Sequence, residues 1–171
     1  MTGKGHTWVG LATAIAVYKF SGDLGLTGFV AVLGHMLGAT APDWMEIRVK
    51  SGDGMKTLIK HRTVTHWLPM WIALFYISYA SITKTINVGV EVNIFLLEFF
   101  MGFAMGGILH LLTDLPNPQG IPIILPSGKF RFSLNLWKSG KYELAITLVG
   151  LLLSLWHIGL LEFNYYALEK L

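Results

Sequence analysis

Five long apolar stretches dominate the pattern of this chain, at residues 7–20, 24–41, 67–82, 94–112 and 144–161. A helix needs about 20 apolar residues to cross a bilayer, so the last two stretches are good candidates, the third is acceptable and the first is short. The first two stretches, interrupted at Ser21-Gly22-Asp23, could form two thin spans or a re-entrant hairpin. The pattern predicts an all-α, polytopic membrane bundle of about four to five helices, with residues 1–171 as a single domain.

The composition agrees with a membrane location and restricts the chemistry. Hydrophobic residues make up 53% of the chain and charged residues 13%, against about 25% charged in a typical soluble protein. The chain has no cysteine, which excludes disulfides, thiolate nucleophiles and cysteine-rich zinc sites. Any bound metal must therefore use nitrogen and oxygen ligands.

The basic residues are distributed unevenly between the two ends of the predicted bundle. Ten of the 13 Lys and Arg residues lie in the N-terminal segment and the two long polar loops, residues 42–66 and 114–141, and three lie on the opposite side. The positive-inside rule then places the N-terminus and both loops in the cytoplasm of a multi-pass inner-membrane protein. The basic residues on that side would lie against anionic lipid headgroups. Membrane lipids are therefore the expected partners, and no nucleic-acid partner is expected.

Six residues that can bind a metal fall at the predicted cytoplasmic ends of the apolar segments. These residues are His6, Asp43, His61, His66, His110 and Asp114. Helix bundles commonly assemble metal sites from side chains that project inward from facing helices. The coincidence of position predicts a metal site at the cytoplasmic end of the bundle.

Local spacing sharpens this prediction. His110 and Asp114 are four residues apart, so they share one helical face. His61 and His66 are five apart, which separates them by about 140° on a helix; both can converge only if His61 lies on the preceding loop and His66 in the first turn. Asp43 follows Pro42, where a helix break could turn its carboxylate into a shared cavity.

These motifs resemble the YdjM-like membrane-bound metal-dependent hydrolases over most of the chain, from His6 to about Glu143. The matching pieces are His-Thr-Trp-Val-Gly at 6–10, Ala-Pro-Asp at 41–43, His-Arg-Thr-Val-Thr-His-Trp at 61–67, residues 107–114 and Asn-Pro-Gln-Gly-Ile-Pro at 117–122. The family is similar in motif pattern to zinc-dependent phospholipase C and P1-type nucleases. The resemblance implies phosphoester hydrolysis with up to three zinc ions, held by the six residues named above.

Two departures from the family pattern reduce the expected number of metals. The family commonly has a second aspartate two residues after the first, whereas this chain offers only Glu46 as a displaced substitute. The soluble relatives also supply a His-x-x-x-Glu pair, of which only Glu143 is present here. We therefore expect one or two ions, zinc or another divalent metal, rather than three.

The expected reaction is attack of an activated water on a phosphoester. Asp43 or Glu46 would act as general base, and Arg62 would stabilise the developing negative charge. Lys129 and Arg131 would suit docking of a substrate phosphate. Because the site lies at headgroup level, a phospholipid or lipid-linked phosphate is the natural substrate, and a soluble phosphoester remains open.

Two other functions stay open at this point. A metal-ion or proton transporter would need ligands deep in the membrane, where only His35 and Glu98 are found. We interpret His35 as a core histidine and His157 as structural. A non-catalytic membrane anchor could use residues 114–141 as its contact surface, but it would leave the cluster of six potential ligands unexplained.

Overall fold

A computed structural model describes residues 1–22, 25–45, 62–86, 92–126 and 129–161, together with the backbone of 48–51 and 54–57. Within these ranges the chain forms six α-helices, one 3₁₀ turn and two strands. In chain order the elements are α1 (Gly3–Phe20), α2 (Leu26–Gly38), α3 (Ala41–Trp44), β1 (Arg48–Ser51), β2 (Gly54–Thr57), the 3₁₀ turn Val64–His66, α4 (Leu68–Ile82), α5 (Ile94–Asp114) and α6 (Glu143–His157).

The predicted helical class is confirmed, with one long helix in each of the five apolar stretches. The helix in the second stretch is shorter than predicted. It ends at Gly38, and the separate short helix α3 follows, with Pro42 in its first turn. A small antiparallel ribbon, in which Arg48 pairs with Thr57, adds to the helices in the first basic loop.

Among the described helices, only α5 is long and apolar enough to cross a membrane by length and composition. It has 21 residues, whereas α2, α4 and α6 are apolar but shorter, with 13, 15 and 15. One span therefore meets the criterion, and the predicted number of four to five spans stays a prediction.

Glycines bring α2 and α5 into close backbone contact. A Cβ atom placed on Gly38 would lie 2.0 Å from the carbonyl oxygen of Phe103, and one on Gly102 would lie 1.9 Å from that of Ala31. Small residues at four-residue spacing permit such contacts between apolar helices. This packing holds the C-terminal end of α2, including Ala39, against the turn of α5 that carries His110.

Large side chains face outward and polar ones face inward. Phe29, Ile72 and Leu152 are each about half exposed. By contrast, the imidazoles of His6, His66 and His110 at one end of the bundle are almost completely buried. This arrangement is typical of helices surrounded by lipid, where apolar surface can remain outside and ionisable groups face the bundle interior.

The 3₁₀ turn is fixed by packing between α4 and α5. Trp71 lies directly over Gly107, where a Cβ atom would come within 2.0 Å of the indole ring. The indole N–H of Trp71 donates to the carbonyl of Thr65 at 2.8 Å. The residue after Thr65 is His66, so this contact sets the position of that imidazole.

Candidate metal centre

Five of the six predicted ligands meet at one end of the bundle. His6 comes from the first turns of α1, Asp43 from α3, His66 from the 3₁₀ turn, and His110 with Asp114 from the last turns of α5. Two groups have donor atoms that all lie within 4.8 Å of one another: His6, Asp43 and His110, and His66, His110 and Asp114. The structure therefore brings together residues that are up to 108 positions apart in the sequence.

The separations between donor atoms suit ligands of one small cation. Nε2 of His6 lies 3.4 Å from Oδ1 of Asp114, and Oδ1 of Asp43 lies 3.5 Å from Nε2 of His66 and 3.6 Å from Nε2 of His110. Ligands of a tetrahedral zinc, bonded at about 2.0–2.1 Å, are separated by about 3.4 Å. Each of the two groups therefore offers three nitrogen and oxygen donors at separations that suit one divalent ion.

The ring of His110 is oriented by a backbone contact. Its Nδ1 lies 2.9 Å from the carbonyl oxygen of Ala39, which can only accept a hydrogen bond, so Nδ1 carries the proton. Nε2 then keeps its lone pair, and it is buried without a hydrogen-bond partner among the described residues. Metal-binding histidines are usually held in this way by a hydrogen bond from the other ring nitrogen.

His6 is oriented by a side chain that sequence reasoning did not identify. The hydroxyl of Thr113 donates to the carbonyl of His110 at 2.9 Å, so its oxygen accepts from Nδ1 of His6 at 3.1 Å. Nε2 of His6 is therefore also a lone-pair donor, and it too has no hydrogen-bond partner within the described part of the chain. For His66, Nδ1 lies 3.1 Å from the hydroxyl of Thr65, which directs Nε2 toward Asp43.

Asp114 is held by several positive or polar groups. Arg62 donates to its Oδ2 at 2.7 Å, Asn117 donates to its Oδ1 at 2.9 Å, and the ammonium group of Met1 pairs with Oδ1 as well. Arg62 also donates to the carbonyl of Gly120 at 2.5 Å. The guanidinium is thus buried and fixes the carboxylate of Asp114 to the loop after α5.

Asp43 forms the open edge of the cluster. Its side chain is 37% exposed, whereas those of His66 and His110 are completely buried. Partial burial alone would raise the pKa of Asp43, but His66, His110 and His6 beside it outweigh that effect and lower the pKa below its usual value. The carboxylate is therefore ionised and accessible from solvent at neutral pH.

The described cluster does not include the other predicted residues. His61 and Glu46 fall outside the described residues. Lys129 and Arg131 are exposed, and within the described ranges neither forms an ion pair with the cluster. Glu143 accepts hydrogen bonds from the backbone N–H of Thr2 at 2.5 Å and from its hydroxyl at 2.9 Å, so it joins α6 to the start of α1.

The supporting residues left only a weak signal in the sequence. Thr113 and Asn117 flank Asp114 at the polar end of an apolar helix, and Asn117 follows it by three residues. That spacing allows a side-chain contact at a helix end, but many polar residues occupy such positions. The carbonyl of Ala39 left no signal, because any residue type supplies a backbone carbonyl.

His35 and Glu98 are buried away from the cluster. His35 lies in α2, where its Nε2 is 2.8 Å from the hydroxyl of Thr13, as expected of a core histidine. Glu98 is 2% exposed, so its carboxylate does not reach the surface of the described structure.

Comparisons with known proteins confirm the YdjM part of the resemblance seen in the motifs. The model of the family described as "YdjM inner membrane protein" matches residues 1–168. The chain is also 28% identical, over 163 residues, to "Uncharacterized protein YvsG" of Bacillus subtilis (strain 168), covering 90% of this chain and 91% of that protein. No solved structure matches. The chain therefore belongs to the YdjM inner membrane protein family.

Proposed function

We propose that this protein is a membrane-embedded, metal-dependent hydrolase of phosphoesters. The observation that carries the proposal is the convergence of three imidazoles and two carboxylates with donor atoms 3.4–3.9 Å apart. At least two of the imidazoles have Nε2 prepared as a lone-pair donor by a hydrogen bond from Nδ1. We infer the class of reaction from the motif pattern, which we expect to be related to that of zinc-dependent phospholipase C and P1-type nucleases.

The shared use of His110 favours one ion. His110 belongs to both candidate ligand groups, but Nε2 has one lone pair and Nδ1 is engaged with Ala39. Two ions could not each take this nitrogen as a ligand. A single ion held by imidazoles and a carboxylate is typical of catalytic zinc, so we propose zinc, although the nitrogen and oxygen donors would also accept other divalent metals.

The residues of the cluster divide between binding and catalysis. His66, His110 and Asp114, whose donor atoms lie within 4.8 Å of one another, would hold the ion. His6, whose Nε2 lies 3.4 Å from Oδ1 of Asp114, and His61 are further candidate ligands. A bound divalent ion would supply Lewis acidity and activate a water molecule. Asp43, ionised and exposed at the edge, would accept the proton of the attacking water, with Glu46 as the alternative base.

The arginine and lysine residues have different proposed roles. Arg62 would position Asp114 and would also contribute positive charge to the site. Lys129 and Arg131, exposed on the loop after α5, would attract the substrate phosphate.

The surroundings of the site favour a lipid-borne substrate. The family is an inner membrane one, and we propose a multi-pass topology with the N-terminus and the metal centre on the cytoplasmic side, following the charge asymmetry. A phosphate at headgroup level would then be within reach of Asp43. We propose a phospholipid or lipid-linked phosphate as substrate.

Transport is less consistent with the geometry. An ion pathway would need polar groups in sequence from the cluster to the other end of the bundle. Beyond the cluster, the interior is instead lined largely by apolar side chains, including Val17, Phe75 and Leu109. This favours chemistry at one end of the bundle over conduction through it.

The test compares the purified wild-type protein with His110→Ala and Asp43→Asn. Metal is measured by elemental analysis, and hydrolysis by phosphate release from a panel of phosphomonoesters and phosphodiesters. We expect His110→Ala to lose both metal and activity, and Asp43→Asn to lose activity by about 10²–10⁴-fold, as for removal of a general base.

His157→Ala is the matched control, because His157 is an exposed histidine at the end of α6. It should keep wild-type metal content and activity. The proposal is overturned if the wild-type protein purifies without stoichiometric metal, or if His110→Ala hydrolyses the panel at the wild-type rate.

A further inference from the structure

A cavity of about 490 Å³ lies between the helices, beyond the metal centre, and it is open on one side, where the exposed side chains of Leu112 and Leu153 line it. Its walls come from α1, α2, α4, α5 and α6. The volume falls in the range of about 300–1,000 Å³ that is usual for small-molecule sites. The cavity is separate from the ligand cluster, since none of the five ligands lines it.

The hydroxyl groups in the wall direct their hydrogen bonds into the protein. The hydroxyl of Thr13 donates to the carbonyl of Val9 at 2.9 Å and contacts Nε2 of His35 at 2.8 Å. The hydroxyl of Ser154 donates to the carbonyl of Gly150 at 2.8 Å. Apart from His35, whose Nδ1 is buried without a hydrogen-bond partner among the described residues, the wall presents methyl, methylene and aromatic surface, which suits a hydrocarbon and offers little to a polar ligand.

The cavity continues from the level of the metal centre along the same helices. Thr13 and Val17 line it and lie seven and eleven residues after His6, on the same face of α1. On α1 the wall runs from Thr13 to Phe20, which are about 10 Å and 21 Å beyond His6 by helical rise. A molecule with its polar end at the metal centre could therefore extend its apolar end into this cavity.

Aromatic rings line the end of the cavity that lies at the C-terminus of α1. The ring of Phe20 lies 6.1 Å from that of Phe75 and 6.0 Å from that of Tyr79, measured between centroids. Phe20 and Phe75 both line the cavity. Such an end would limit the length of chain that fits.

We propose that this cavity binds the hydrocarbon chain of the substrate while the phosphate of the same molecule is at the metal centre. The proposal rests on the proposed hydrolase function and adds to it a chain-binding site, with a chain length set by Phe20 and Phe75. The occupant is a single long hydrocarbon chain carrying a phosphate ester, which an acyl or an isoprenoid lipid would both provide.

The first experiment fills the cavity. Ala16 lines it, and its neighbour Ile15 is exposed on the outer face of α1. We expect Ala16→Phe to lower kcat/KM for hexadecyl phosphate relative to butyl phosphate on the order of tenfold, with metal content unchanged. Ile15→Phe should keep the wild-type ratio.

A second pair on α6 covers the case in which Ala16→Phe does not fold. Leu153 lines the cavity and Leu152, also exposed, does not. Leu153→Trp should lower the same ratio, and Leu152→Trp should not. An unchanged ratio in a folded, metal-loaded Ala16→Phe or Leu153→Trp protein overturns the chain-binding site but leaves the hydrolase function intact.

A binding measurement separates this proposal from the hydrolase function. A long-chain alkyl phosphate with a photoreactive group at the end of its chain should label α1 or α6 near Phe20 and Leu153. Unlabelled hexadecyl phosphate should compete, and hexadecanol should compete much less. Equal competition by hexadecanol would show a cavity filled by membrane lipid and overturn the proposal, whether or not the protein hydrolyses phosphoesters.

Discussion

The imidazole rings of His6 and His110 stack with their centroids 3.6 Å apart and their planes inclined by 15°. One ring belongs to the start of α1 and the other to the end of α5. Nδ1 of each ring lies beside an oxygen atom, which leaves both Nε2 atoms as candidate metal donors. The stacked pair makes the metal centre a link between two helices far apart in the sequence.

Metal binding should therefore stabilise the folded bundle, and His6→Ala should remove that effect. An ion present at 100 times its Kd stabilises a protein that binds it only when folded by about 2.7 kcal/mol. We expect Zn²⁺ to raise the Tm of the detergent-solubilised wild-type protein and a chelator to reverse the change. His157→Ala should respond like the wild type, and a full response in His6→Ala would contradict the assignment of His6 as a ligand.

Thr113→Val tests whether the hydroxyl beside His6 supports metal binding. Valine keeps the shape of the side chain but removes the oxygen that accepts from Nδ1 of His6. Loss of such a supporting hydrogen bond typically weakens metal affinity by about 10–100-fold. The affinity is measured by titration against a competing chelator.

Thr147→Val is the control for this substitution. Like Thr113, Thr147 donates its hydroxyl to a carbonyl of its own helix, that of Glu143 at 2.9 Å. Among the described residues its hydroxyl contacts no histidine. Its replacement should leave metal affinity unchanged. Equal affinities for all three proteins would mean that Thr113 does not act through His6.

The sequence predicted the helices and most of the ligands because both leave patterns in the chain. Apolar stretches located the five long helices, and the positions of histidine and aspartate at their ends placed His6, Asp43, His66, His110 and Asp114 in one cluster. The charge asymmetry was also needed for this prediction, because the positive-inside rule assigned the helix ends that carry the candidate ligands to one side of the membrane.

What the sequence could not predict depends on three-dimensional packing. The ribbon of β1 and β2 lies in a loop without an apolar alternation to indicate it. The contact between His110 and the carbonyl of Ala39 requires the close approach of α2 and α5, which glycines permit but do not reveal by themselves. The roles of Arg62 and Glu143 likewise depend on which backbone groups happen to lie beside them.

Arg62→Met should destabilise the protein strongly. The substitution leaves the buried carboxylate of Asp114 without its guanidinium partner and the carbonyl of Gly120 without its donor. Breaking a buried ion pair by removing one partner costs about 3–5 kcal/mol. Chemical unfolding in detergent measures the loss, and Lys138→Met, which removes an exposed positive charge, should cost little.

Gly106→Ala tests the packing that positions His110. A Cβ atom on Gly106 would lie 2.2 Å from the carbonyl oxygen of His35 and 2.5 Å from the backbone nitrogen of Ala39. The helices must then separate, at a cost of about 1–3 kcal/mol, and the carbonyl of Ala39 moves away from His110. We expect a lower Tm together with weaker metal binding.

Gly3→Ala provides the comparison for Gly106→Ala, because nothing lies within 4 Å of the added Cβ atom. Its Tm and metal affinity should match the wild type. If Gly106→Ala behaved in the same way, the close contact between α2 and α5 would not be what fixes the ligand.

Glu143→Gln distinguishes a structural carboxylate from a metal ligand. Glu143 binds the N–H and hydroxyl of Thr2 and accepts from the N–H of Gly140 at 3.3 Å, so its oxygens are already engaged in joining α6 to α1. Glutamine can still accept the two backbone N–H bonds through its carbonyl oxygen, and its amide nitrogen can donate to the hydroxyl oxygen of Thr2, but the negative charge is lost. We therefore expect metal content equal to that of the wild type, measured by elemental analysis, whereas His110→Ala loses the metal. A loss of bound metal in Glu143→Gln would instead indicate that Glu143 is a ligand.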